Sequence, residues 1–131
     1  MTPTREQRNV RERLEQWELR IQRLLALYGS DRKLPVALRA EVRWQYARLK
    51  LSLRAEFEAG NRWRNRSQTT WAERHFYHPA LHAASAHLIG RIEAGPDAWH
   101  RALCNALSAI SDAVVLLDER EGKAPPRQWS A

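Results

Sequence analysis

The sequence predicts an all-α protein, an antiparallel bundle of four helices, or of five if the chain divides at Pro79. Three observations lead there. Apolar residues recur at three- and four-residue spacing in separate stretches, the mark of helical faces. No stretch alternates with period two for long enough to make a strand. The connections between the periodic stretches are short, which favours antiparallel neighbours. A chain of 131 residues suits one domain, here expected over 1–122 with a flexible tail over 123–131.

In the first helix Val10, Leu14, Trp17, Ile21, Leu24 and Tyr28 fall on one face. Thr4 or Thr2 supplies a cap, and Gly29 and Ser30 supply the stop. The second helix is expected over 35–58, with Pro35 at its first position and Gly60 as its end. Leu38, Val42, Tyr46, Leu49, Leu53 and Phe57 make its core face, a sector of roughly 100°. Arg39, Arg43, Lys50 and Arg54 form a basic ridge beside that face, and Trp44 and Leu51 lie beyond the ridge.

Thr70 and Glu73 have capping-box spacing at the start of the third element. A helical pattern then runs from Trp71 to His78, where Pro79 breaks or kinks it, and resumes over 79–93 with Leu81, Ala84, Leu88 and Ile92. Gly95-Pro96-Asp97 is a turn leading into the fourth helix, which runs to about Arg120 before Gly122. Its stripe is Trp99, Leu103, Leu107, Ile110, Val114 and Leu117, with Ala102, Ala106, Ala109 and Ala113 alongside.

The charge is uneven. Net charge is +7, carried by arginine, with lysine only at Lys33, Lys50 and Lys123. Residues 1–66 hold 16 Lys/Arg against 8 Asp/Glu, whereas residues 67–131 hold 6 against 7. A codon bias toward arginine explains the choice of residue but not its concentration in one half. The asymmetry points to an anionic partner for the first half, nucleic acid before membrane. No run of apolar residues is long enough to span a bilayer. The N-terminus lacks the apolar stretch of a signal peptide. Cys104, the single cysteine, excludes a disulfide within the chain. Together these suggest a cytoplasmic protein.

Little in the sequence carries catalysis. It has no glycine-rich phosphate loop, nucleophile elbow, paired-cysteine motif or HExxH. Cys104 lies on an apolar helix and reads as a core thiol. His75, His78 and His82 are spaced three and four apart, so one continuous helix would give them a common face. They are the candidate metal ligands, set against a reading as ordinary polar histidines, with Pro79 interrupting the set. Arg74, His75 and His78 also have the residue types for acid–base cleavage of RNA, a weaker reading. No enzyme activity, metal or cofactor is expected.

The basic surface is the better lead. The loop from Gly60 to Trp71 carries Arg62, Arg64 and Arg66 around Trp63 and holds no acid. If the second helix ends at Gly60, this loop continues the ridge. Arg39, Arg43, Lys50, Arg54, Arg62, Arg64 and Arg66 would then contact phosphates, with Trp63 stacking on a base or bracing the loop. Trp71 is expected to turn back into the core. The long helices do not suit a helix-turn-helix, so recognition would be of the backbone, with RNA or single-stranded DNA favoured. In size, charge and helicity the chain is similar to small basic subunits of ribonucleoprotein assemblies, including those of CRISPR effector complexes, without a shared motif. The expected function is therefore a non-catalytic accessory or structural subunit that binds nucleic acid. The rival is an adaptor in which Trp44 and Leu51 dock an acidic protein or a second copy of the chain.

Overall fold

The computed structural model describes residues 4–62 and 69–120, and the side chains of all of these except 60–62. It is a four-helix antiparallel bundle: α1 (Arg5–Leu25), α2 (Arg39–Arg62), α3 (His78–Leu88) and α4 (Pro96–Arg120). α4 is central, packing on both α1 and α3, and α2 packs on α3. Between α1 and α2 the packing is sparse, which leaves a seam along one side of the bundle. No helix among the described residues is long and apolar enough to cross a membrane.

The caps decide where the helices start. Thr4, rather than Thr2, caps α1 with a complete capping box. The Gln7 N–H donates to Thr4 Oγ1 at 3.1 Å, and the Thr4 N–H donates to Gln7 Oε1 at 2.9 Å. The predicted Thr70–Glu73 box also forms, at 3.1 and 3.0 Å.

The helix ends depart further from expectation. α1 stops at Leu25, short of Gly29, and its last carbonyls close in tighter turns through the Leu27 and Tyr28 amides. Tyr28 still reaches the core. Gly29 belongs to the following turn, where an added Cβ would meet the Lys33 carbonyl oxygen at 3.0 Å. Pro35 leads into one short 3-10 turn, Val36–Leu38, before α2 begins. α2 then runs through Gly60 to Arg62. A glycine in a helix costs about 1 kcal/mol but does not end it unless the chain takes a left-handed turn there.

Pro79 neither breaks the chain nor divides it. Residues 71–88 are one continuous helix whose Glu73–Tyr77 segment is a π turn. The His78 N–H there bonds the Glu73 carbonyl, five residues back. The wider turn accommodates a residue that has no N–H and whose ring crowds the carbonyl four residues before it. α3 ends at Leu88, short of the expected stretch 79–93, because Ile89 is extended and Gly90 takes φ 75°. A short 3-10 turn, Arg91–Ala94, leads through Gly95 to α4.

The predicted stripes make the core. Val10, Leu14, Ile21, Leu24, Val42, Tyr46, Leu49, Leu53, Leu103, Ile110, Val114 and Leu117 are buried, while Trp17, Leu38, Phe57, Ile92 and Leu107 pack half-buried at its margins. Buried alanines at 102, 106 and 113 let helices approach α4 closely. The expected end at Gly122 and the tail 123–131 lie outside the described residues.

Candidate nucleic-acid interface

The outer face of α2 is organised around Trp44, which is 57% exposed. A groove lies on each side of it. One, of about 800 Å³, runs between α2 and the turn before α4, and is lined by Arg39, Arg43, Ile92 and Trp99. The other, of about 630 Å³, follows the α1–α2 seam, with Arg20, Arg48 and Ser52 along it. Leu51 is 64% exposed on the same outward side of α2.

Of the predicted ridge, Arg39 and Arg43 border the first of these grooves, beside Trp44. Arg43 has a partner in Glu93 at 3.5 Å, but both side chains are largely exposed and the contact is weak. Lys50 is half-buried, and Arg54 pairs with Glu58 at 3.0 Å one turn on. Neither lines the two grooves. The side chains of Arg62, Trp63, Arg64 and Arg66 lie outside the described residues. Trp71 packs half-buried against the core, with His75 stacked on it at 4.4 Å and the Arg120 guanidinium over its ring at the same distance.

Arg20, Arg48 and Ser52 carry no role in the sequence reading, which followed only the core stripes and the ridge. The Arg20 guanidinium lies over Trp17 at 5.3 Å and donates to Ser52 Oγ at 3.1 Å. Arg48 lies over the Trp44 ring at 4.7 Å. Among the described residues neither has a carboxylate partner. Burial, and then the Arg48 charge, hold the Arg20 pKa below its usual value. No single helix signals this pair: Arg20 lies on α1, and Arg48 lies on α2 about 140° around the helix from Arg43.

Arg13 is the contrast. Its guanidinium reaches Glu56 and Glu73 at 3.0 Å each and sits 3.9 Å from the Tyr77 ring centroid. Trp17 Nε1 donates to Tyr77 Oη at 3.0 Å, and Tyr77 in turn donates to Glu56 at 3.3 Å. Burial opposes a charge on Glu73, but the Thr70 amide and Arg13 outweigh it and hold the carboxyl below its usual range. Arg13 is thus neutralised and braces α1 against α2 and the π turn.

The histidines do not converge. His75 is exposed, with Nδ1 2.9 Å from the Trp71 carbonyl oxygen, and His82 lies against Phe57 at 4.9 Å. His78 is half-buried beside Tyr77, both ring nitrogens lacking partners among the described residues, and burial lowers its pKa. The π turn shifts the angular register that gave the three a common face. No group of three His, Cys, Asp or Glu among the described residues could hold a metal ion. Cys104 is half-buried rather than fully in the core, with Sγ 3.8 Å from His100 Nδ1. Burial, and then the Arg32 charge, hold the His100 pKa below its usual value.

Fold and face together define a small basic helical bundle with an arginine- and tryptophan-rich side. No known protein family, curated protein or solved structure matches the chain.

Proposed function

We propose that the chain binds nucleic acid through its phosphate backbone, as a non-catalytic accessory or structural subunit of a larger assembly. The observation that supports this is the exposed Trp44 with an arginine-lined groove on either side. Guanidinium groups match phosphate oxygens in a planar fork, and an exposed ring offers a face to a base. Arg39, Arg43 and Arg48 would contact phosphates, joined by Lys50, Arg54, Arg62, Arg64 and Arg66 farther along. Trp44 and Trp63 would stack or brace. Without a recognition helix in the set, affinity would follow charge and shape rather than base sequence.

The test is a titration of the full chain with single-stranded and duplex oligonucleotides over a salt series. Affinity should fall steeply with salt. Replacing Arg39 and Arg43 by alanine should make the slope shallower by about 1 for each phosphate that the variant no longer neutralises. No binding at low salt would refute the reading.

A second reading has its own observation. Trp44 and Leu51 are both exposed on one side of α2. That patch suits an adaptor that docks an acidic protein. Tight association with a co-purifying acidic protein, abolished in Trp44→Ala with Leu51→Ala, together with no oligonucleotide binding at low salt, would favour it over nucleic acid.

A further inference from the structure

We propose that the α1–α2 groove is a phosphate-binding site in which Arg20 and Arg48 grip a single phosphoryl group, with the Ser52 hydroxyl as a third donor. This deepens the nucleic-acid reading by naming one phosphate position, and rests on it only for what carries the phosphate.

Two cations from different helices line one groove without a carboxylate in its lining. The acids nearest in sequence are committed elsewhere: on α1 Glu18 accepts from the Ser111 hydroxyl at 2.6 Å and Glu15 pairs with Arg11 at 2.8 Å, and on α2 Glu41 accepts from the Gln45 side chain at 2.7 Å and Glu56 holds Arg13 and Tyr77. Like charges held together in a partly buried groove destabilise the empty protein, and an anion between them reverses the sign of that cost. The side chains are also held ready. Arg20 rests on Trp17 and Arg48 on Trp44, so each guanidinium loses little further freedom on binding. Ser52 Oγ accepts from Arg20, and its own proton has no acceptor among the described residues.

The geometry favours phosphate over carboxylate. Two forks approaching from separate helices suit a tetrahedral group with several oxygens, whereas a planar carboxylate satisfies one fork. The groove, at about 630 Å³, is larger than a bare phosphate, leaving space for the group that bears it.

The experiment follows thermal unfolding and phosphorus NMR of the full chain with inorganic phosphate, a 5′-mononucleotide, and a short oligonucleotide without terminal phosphate. Chloride at matched ionic strength is the reference. Inorganic phosphate should raise the unfolding midpoint saturably. Arg48→Gln, which leaves the Arg20–Trp17–Ser52 contacts intact, should weaken phosphate about tenfold, and Arg8→Gln, at an exposed position of α1 that lines neither groove, should leave it unchanged. The two nucleotide probes then distinguish a terminal phosphate from a backbone diester. A phosphate response that persists undiminished in Arg48→Gln and in Arg20→Gln overturns the proposal, as does a response no larger than chloride's. If oligonucleotides bind but Arg48→Gln leaves them unaffected and phosphate does not bind, the pincer fails while the general reading stands. If phosphate binds through Arg48 and no oligonucleotide does, the pincer stands and the general reading fails.

Discussion

Replacing Arg13 by methionine tests whether the bundle depends on a polar brace across its open seam. Methionine keeps an unbranched stem for packing and removes the charge. Three interactions go with it: the 3.0 Å bond to Glu73, the 3.0 Å bond to Glu56, and the guanidinium over Tyr77 at 3.9 Å. The Glu73 side chain is 19% exposed, so its charge-assisted bond is worth about 1.5 kcal/mol. Glu56 is 40% exposed, and its pair is worth about 0.5 kcal/mol. The cation–ring contact adds about 0.5–1 kcal/mol. Because the three share one guanidinium, the expected loss is about 2–3 kcal/mol, or roughly 6–12 °C in midpoint for a chain of this size. Urea and thermal unfolding at neutral pH measure it. A second readout is the acid limb. Glu73 has a depressed folded pKa, so its contribution is present above the unfolded value near 4.5 and is lost as pH falls through the folded value. In the methionine variant the Thr70 amide still holds the carboxylate, but Arg13 does not. Stability should therefore fall less steeply below about pH 4.5 than in the unaltered protein. A loss under about 0.5 kcal/mol, or an unchanged acid limb, refutes the brace.

Three further changes probe separate parts of the molecule. Tyr46→Phe removes the buried hydroxyl that donates to the Leu88 carbonyl at 3.0 Å, and with it the partner of that helix-end carbonyl. The variant should lose about 1–2 kcal/mol in denaturant unfolding, with no change in oligonucleotide affinity. His78→Phe removes a ring whose nitrogens lack partners among the described residues and whose pKa is depressed. The unaltered protein should lose stability as pH falls below the unfolded histidine value of 6.5 toward the folded value, and the variant should lose less across that window. Trp44→Ala removes a ring that is 57% exposed, so unfolding should shift by no more than about 0.5 kcal/mol. Its oligonucleotide affinity should nevertheless fall, in a titration at fixed salt.

The helical faces were legible because burial imposes a period on the residues that meet it. Val42, Tyr46, Leu49 and Leu53 could be placed in the core from spacing alone, and Trp44 and Leu51 outside it. Capping was legible for the same reason: Thr70 and Glu73 satisfy each other within one turn, and no distant residue is needed. Helix ends were less so. Gly60 and Pro79 are strong local signals, but α2 runs through the first and the π turn accommodates the second. Both outcomes depend on what the rest of the bundle makes of a local cost of a few kcal/mol. The Arg20–Arg48 pair was missed because it is defined by two helices together. Arg20 on α1 and Arg48 on α2 are ordinary residues on polar flanks until the helices are set side by side.

The open seam itself has a physical origin. α1 and α4 close on each other through apolar residues, with Arg11 bonded to Asp118 and Ser111 donating to Glu18 at 2.6 Å beside them. Across the α1–α2 seam, by contrast, the bonds run from long arginine side chains, Arg13 to Glu56 and Arg20 to Ser52. Such side chains bridge helices that short apolar residues would draw together. Four polar positions, Arg20, Gln45, Arg48 and Ser52, thus line the seam beside Leu24, Leu49 and Trp44. Leucines there would bury apolar surface and relieve the repulsion between two guanidiniums, and many natural proteins trade stability of that kind for a binding site. On the proposed reading, the charge that costs the bundle its tightest closure is the charge that a phosphate in the groove would meet.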